Sequence, residues 1–91
     1  MTPFELSLSV PPDPRFAETM RLMAVQAVQQ VGGGEAEATA FGADVERAMR
    51  ECITPPGENV EIVVQVRESE VDMVLTCGRT IRVAYPVASK A

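Results

Sequence analysis

Four stretches of the sequence alternate apolar and polar residues, and two longer stretches repeat apolar residues every three or four positions. Alternation of period two is typical of a strand with one buried face, and the longer spacing is typical of an amphipathic helix. The predicted elements are strands at 4–10, 60–67, 70–77 and 80–85 and helices at 14–31 and 35–53. The pattern therefore predicts the order β-α-α-β-β-β.

Residues that begin and end helices stand where the pattern changes. Asp13 is a favourable N-cap and Pro14 a favourable first helical residue. The glycines at 32–34 end the first helix, because glycine readily adopts the left-handed conformation of a helix C-terminus. Gly42 allows two interpretations, which are close backbone packing or a break that delays the second helix to Ala43.

The strands that follow the helices fit one register. A turn at residues 68–69 places Val64 opposite Met73 on the buried face and Val63 opposite Val74 on the outer face. Three sequential strands after two helices favour a largely antiparallel sheet. The expected fold class is an α+β two-layer sandwich, with a four-stranded sheet and both helices on one face.

Length and composition restrict the classes of function. The chain is predicted to be one domain over residues 1–91, with a tail at 86–91. The net charge is −5, and neither a basic stripe nor a set of stacking aromatics is present, so no nucleic acid is expected as a partner. No apolar run approaches the roughly 20 residues of a membrane span, and no signal peptide is evident. A cytoplasmic protein without membrane association is predicted.

The chemistry of the side chains argues against catalysis. The chain has no histidine, which removes serine–histidine and cysteine–histidine catalysis and histidine-ligated zinc. Cys52 and Cys77 are separated by 25 positions and each falls on a predicted buried face. We expect them to be core thiols and not a disulfide, since disulfides are rare in the cytoplasm. No metal or cofactor is expected.

Three segments together resemble a known family. The strand FELSLSV, the helix opening PPDPRF and the strand pair VEIVVQVRESEVDMVLTCG are similar to those of the anti-sigma factor serine kinases, which belong to the histidine-kinase-like ATPases with the Bergerat (GHKL) fold. The resemblance covers roughly residues 4–78 and rests on element order, lengths and apolar positions. The resemblance implies a bacterial regulator of transcription that self-associates and binds a sigma factor or an anti-sigma antagonist.

The motifs of that family are replaced in this sequence. The family's second helix carries a catalytic Glu and, four residues later, an Asn that holds Mg²⁺. The matching positions are Arg47 and Glu51, or Glu46 and Arg50 in a shifted alignment. Arginine neither accepts a proton nor binds a metal. The adenine-reading Asp-x-Gly corresponds to the segment 76–78, Thr-Cys-Gly. The resemblance therefore implies a degenerate relative that has lost the nucleotide.

The expected function is a non-catalytic, regulatory protein–protein interaction module that forms a homo-oligomer. The candidate partner-binding residues are Arg21, Glu46, Arg47, Arg50, Glu51, Val63 and Val74. For each of them the simpler interpretation is a solvated helix face or an incidental exposed valine. Two alternatives stay open. One is a nucleotide- or small-ligand-binding kinase-like protein, and the other is a structural subunit of a larger assembly. The groups that would act in the kinase-like alternative are Glu46, Glu51, Cys52 and Glu58.

Overall fold

The six elements follow the predicted order. A computed structural model describes residues 4–53, 59–68 and 70–85. The elements are β1 (Phe4–Val10), α1 (Arg15–Gln30), α2 (Glu35–Cys52), β2 (Val60–Arg67), β3 (Glu70–Thr76) and β4 (Thr80–Tyr85). Proline lacks the amide donor that a helix needs, so Pro55 and Pro56 predict a stop after the second helix. These two residues and the predicted tail at 86–91 lie outside the described residues. Neither described helix is long and apolar enough to cross a membrane.

The strands form one antiparallel sheet in the order β1-β2-β3-β4. Val64 pairs with Met73 and Val63 pairs with Val74, so the predicted register is confirmed. Gly78 has a φ of +94° between β3 and β4, where the sequence predicts a turn. Because side chains alternate between the two faces of a strand, this register brings the apolar residues of β2 and β3 to one face.

Both helices cover that apolar face, which confirms the predicted α+β two-layer fold. α2 packs on β3 and β4, while α1 packs beside α2 and also reaches β3. With α2 already over the β4 side, α1 lies on the β1 side of the helical layer. The sheet contributes these almost fully buried residues to the core: Val60, Ile62, Val64, Val66, Val71, Met73 and Leu75. Burying an aliphatic side chain of this size stabilises a fold by roughly 1.5–3 kcal/mol.

The two helices approach closely at Gly42. α2 is continuous from Glu35 to Cys52, so Gly42 does not delay its start. A Cβ atom at Gly42 would lie 2.7 Å from Cγ2 of Val25 and 3.1 Å from the carbonyl oxygen of Arg21. The interpretation of Gly42 as a site of close backbone packing is therefore confirmed.

We predict that Gly42→Ala destabilises the protein by about 1–3 kcal/mol, because the added methyl group pushes the helices apart. The intrinsic helix propensity alone would favour alanine by about 1 kcal/mol, so the two effects have opposite signs. The free energy of unfolding in urea measures the difference. The exposed Ala43→Gly variant is the control and should lose only the propensity term. A stabilised Gly42→Ala variant would contradict the close-packing explanation.

A disulfide joins the end of α2 to the end of β3. Cys52 and Cys77 are bonded, and their Cα atoms are 5.5 Å apart. The prediction of two free core thiols was therefore wrong. The alternating and helical patterns place both cysteines toward the core, but they do not show that the last turn of α2 meets the β3–β4 turn. The bond closes a loop over a sequence separation of 25 residues.

We predict that removing this disulfide lowers the free energy of unfolding by about 3 kcal/mol in the chain-entropy model. For a domain of this size that corresponds to a fall in Tm of roughly 15 °C. Thermal unfolding with and without reductant measures the effect. The Cys52→Ala/Cys77→Ala variant is the control, and reductant should not change its Tm. Alkylation first confirms that the reductant has freed both thiols of the wild-type protein. If the Tm of this reduced protein then equals that of the bonded protein, the prediction is refuted.

The end of β4 is fixed to the beginning of α2. The ring of Tyr85 meets that of Phe41 edge to face, with 6.2 Å between the centroids. Desolvation, together with a hydrogen bond to Glu37, raises the pKa of the Tyr85 hydroxyl. The Tyr85 hydroxyl is thus protonated at neutral pH. With the disulfide at the other end of α2, this contact holds helix and edge strand together.

Candidate functional site

The seven candidate residues divide among three surfaces. Arg21, Glu46 and Arg50 lie together on the solvent face of the helix pair, and we call them the helix-face network. Arg47 and Glu51 line a cleft between α2 and β4. The remaining two, both valines, lie on the sheet face that the helices leave open. The structure thus does not bring the predicted set into one site.

The helix-face network links the two helices across their outer groove. Nε of Arg21 lies 3.4 Å from a carboxylate oxygen of Glu46, and Nη2 of Arg50 lies 2.8 Å from the other oxygen. Arg21 also pairs with Glu18 at 3.5 Å. Ion pairs this exposed are screened by solvent and contribute about 0–1 kcal/mol each. The network is explained by helix pairing, and nothing in its geometry requires a ligand.

The cleft lies between the second half of α2 and the edge strand β4, and we call it the α2–β4 cleft. Its volume is about 220 Å³. The lining residues are Asp44, Arg47, Ala48, Glu51, Ile81, Arg82 and Val83. The residues from α2 are three or four positions apart, so they share one face of the helix. Ile81 and Val83 alternate with Arg82 along β4, so the two apolar side chains form the floor.

The charges at the rim of the cleft are paired with one another. Arg47 donates to Asp44 at 2.8 Å, and Arg79, from the β3–β4 turn, donates to Glu51 at 3.5 Å. All four side chains remain between 44% and 70% exposed, so each pair is accessible to solvent and to a partner. The rim therefore presents two arginines and two carboxylates around an apolar floor.

Arg82 belongs to the lining of the cleft, but its side chain turns to the opposite face of the sheet. There it forms a bidentate pair with Asp72, at 2.8 and 2.7 Å. The hydrogen bonds from Arg82 hold the pKa of the Asp72 carboxyl below its usual range. Asp72 is therefore ionised at neutral pH, and this pair fixes β4 to β3 on the open face.

The open sheet face carries Val63 and Val74 as a half-buried pair between Ser7 and Arg82. The neighbouring long polar side chains reduce the exposure of both valines. Gln65 donates to Glu5 at 3.1 Å on the same face. Two half-buried valines within a polar face are common on protein surfaces and need no ligand to explain them.

The candidate groups of the kinase-like alternative do not come together in one site among the described residues. Within the described ranges, no group of three or more metal-ligating side chains comes together. Cys52, a candidate nucleophile from the sequence, is bonded to Cys77. Glu46 pairs with Arg21 and Arg50 away from the cleft, and Glu58 lies outside the described residues. The groups that the cleft presents are an apolar floor and a rim of paired charges.

Of the residues that line the cleft, the sequence singled out only Arg47 and Glu51. Asp44 and Arg79 complete the rim, while Ile81 and Val83 form the floor. Asp44 stands three residues before Arg47, which is a detectable helical spacing. The contribution of β4 has no local signal, because it depends on α2 packing over that edge of the sheet. The two alignments of α2 with the resembling kinases select different residue pairs. The pair Arg47 and Glu51 faces the cleft, whereas the pair Glu46 and Arg50 belongs to the helix-face network.

In comparisons with known proteins, no family model matches the chain and no curated protein matches it.

Proposed function

We propose that this chain is a non-catalytic, regulatory protein-interaction module that binds its partner through the α2–β4 cleft. The partner expected from the resemblance is a sigma factor, an anti-sigma antagonist or a similar regulator of transcription. The single observation that carries the proposal is the apolar floor of Ile81 and Val83 inside a rim of exposed charges. Protein interfaces have this anatomy, with an apolar centre that excludes water and a polar rim.

The rim also favours specificity for a partner with charges of both signs. Arg47 and Asp44 pair within α2, and Glu51 pairs with Arg79 across the cleft. Such exposed pairs contribute little to stability, so exchanging them for pairs with a partner costs little. Complementary charges at a rim mainly set the rate and specificity of association. An extended or helical segment with an apolar residue between an acidic and a basic one would fit this pattern.

The size of the cleft argues against a nucleotide. Pockets that bury a small-molecule ligand typically measure about 300–1,000 Å³, and this cleft measures about 220 Å³. In the first of the two alignments Arg47 stands where the resembling kinases have their catalytic Glu, and arginine does not accept a proton. Calorimetry with Mg-ATP separates the two functions: we expect no binding at millimolar nucleotide, whereas micromolar binding would favour the kinase-like alternative.

The test of the proposal compares two double variants of α2. Arg47→Ala/Glu51→Ala removes one member of each rim pair, whereas Glu46→Ala/Arg50→Ala removes a glutamate and an arginine from the helix-face network. Both variants lose the same residue types from one helix, so their effects on helix stability should be similar. Partners captured by the wild-type protein from its source cells are identified by mass spectrometry and their affinities measured by calorimetry.

We expect the cleft variant to bind the captured partner about tenfold more weakly or worse, as interface residues with central contacts do. The helix-face variant should bind like the wild type. The proposal fails if no stoichiometric partner is found, or if both variants bind with unchanged affinity. If only the helix-face variant loses affinity for the partner, the interface lies at the outer groove of the helices. That result would also refute the assignment to the cleft.

The proposal places the protein in the cytoplasm, as a regulator of the resembling family would be. The Cys52–Cys77 disulfide weighs against this location, because structural disulfides persist mainly in oxidising compartments. Trapping thiols with a maleimide reagent at the moment of lysis decides the question. A cytoplasmic protein should be recovered with both cysteines labelled, and recovery of the bonded form would place it in an oxidising compartment.

A further inference from the structure

The outer edge of β1 is a surface that the proposed cleft does not use. β1 is the first strand in the order β1-β2-β3-β4, so the backbone groups on its other side face no described strand. Leu6, whose side chain lies on the helix-covered face of the sheet, is 44% exposed, whereas its neighbour Val64 on β2 is 3% exposed. The helical layer therefore leaves the apolar face uncovered around Leu6, in the first half of β1.

β1 also lacks the features by which proteins usually protect an edge strand. Edges are commonly blocked by proline, by lysine, by a bulge or by a short strand. β1 is seven residues long, without proline, and pairs with β2 through an uninterrupted register from Phe4 to Val10. Its one charged residue is Glu5, near its beginning. A strand of this kind is a template for pairing with another strand.

We propose that β1 pairs antiparallel with β1 of a second copy of this chain, about a two-fold axis at Ser7. An antiparallel pair of identical strands has two-fold symmetry by construction, which is the symmetry that a closed dimer needs. This register uses the full length of the strand, and the pairs that it forms are Phe4 with Val10, Glu5 with Ser9, Leu6 with Leu8, and Ser7 with Ser7. The two sheets become one sheet of eight strands.

The pairing is complementary on both faces of the sheet. On the helix side it places the exposed Leu6 against the partly buried Leu8 of the other copy. On the open side Glu5 lies opposite a serine, so no like charges meet. A register slid by two residues centres on Leu6 or Leu8 and pairs only five of the seven residues of β1. A slide of four residues that centres on Glu5 pairs fewer still and places two carboxylates opposite each other. The register centred on Ser7 therefore buries the most strand.

The side of α1 that faces away from α2 extends the apolar surface. Arg21 and Val25 face α2 at Gly42. Phe16 and Met23 occupy the other flank of α1 and remain only partly buried. Because α1 lies on the β1 side of the helical layer, these two side chains are on the flank of α1 that is turned toward the β1 edge. In the dimer they approach the same residues of the second copy and exclude water from the strand pair.

The expected affinity follows from the size of the contact. Seven residues span about 24 Å along the strand, and a sheet with one helical layer is about 20 Å thick, so the dimer buries roughly 1,000 Å² in total. Interfaces of this size lie at the lower end for specific complexes and are typical of weak or transient association. The dimer should therefore dissociate in the micromolar range.

The dimer surface and the α2–β4 cleft lie at opposite edges of the sheet, since β1 and β4 are its two ends. Self-association through β1 leaves both clefts accessible, one at each end of the eight-stranded sheet. The inference therefore does not depend on the proposed cleft function, and either can fail while the other holds.

The experiment uses charge at the two-fold axis. Sedimentation equilibrium of the full chain between about 1 µM and 1 mM should show a monomer–dimer equilibrium. Ser7→Lys and Ser7→Asp each place like charges opposite each other and should weaken the dimer about fivefold or more. An equimolar mixture of the two variants should restore dimerisation. Ser7 is exposed on the open face, so circular dichroism melts at low concentration should show an intact fold.

Thr76→Lys is the matched control, since it adds the same charge to an exposed residue of the interior strand β3. It should leave the monomer–dimer equilibrium unchanged. A wild-type chain that is monomeric at 1 mM would overturn the inference. A dimer that is equally sensitive to Thr76→Lys and Ser7→Lys, or one that the mixture of charged variants fails to restore, would also overturn it.

Discussion

The structure depends on burying one face of an antiparallel sheet under a pair of consecutive helices. The inward side chains of β2 and β3 form that face, and each is at most 3% exposed. Because the period of a strand is two, a slip of one residue in the β2–β3 register would turn the inward side chains of one of the two strands to solvent. This constraint fixes the pairing of the strands, the side on which both helices lie and the polar character of the opposite face.

Two helices do not cover four strands evenly. The α2–β4 cleft and the exposed part of β1 lie at the two edges of the sheet, where the helical layer ends. α2 packs over β3 and β4, and a cleft remains between its second half and the edge strand. At the other edge, α1 leaves Leu6 of β1 exposed. Both surfaces therefore follow from the same packing arrangement, one with a charged rim and one with a strand edge that no described strand covers.

The cleft is held in shape at both ends of α2. The disulfide ties Cys52 to the β3–β4 turn, and Tyr85 packs on Phe41 near the beginning of the helix. A preformed surface loses less conformational entropy on binding than a flexible one. The rim charges between these two ends form exposed pairs that a partner can exchange for its own. Rigidity of the scaffold and exchangeable charges at the rim are together suited to recognition by contact.

The sequence by itself determined the six elements, their order and the β2–β3 register, because these depend on local periodicity and on turn residues such as Gly78. It also identified Arg47 and Glu51 as neighbours on one face of α2. Only the tertiary structure decided that Gly42 is a packing site, that Cys52 bonds to Cys77, and that Ile81 and Val83 form a floor beneath α2. These features join residues distant in sequence through the position of one helix on the sheet. The position of that helix depends on the packing of many side chains together. A local pattern in the sequence therefore does not predict it.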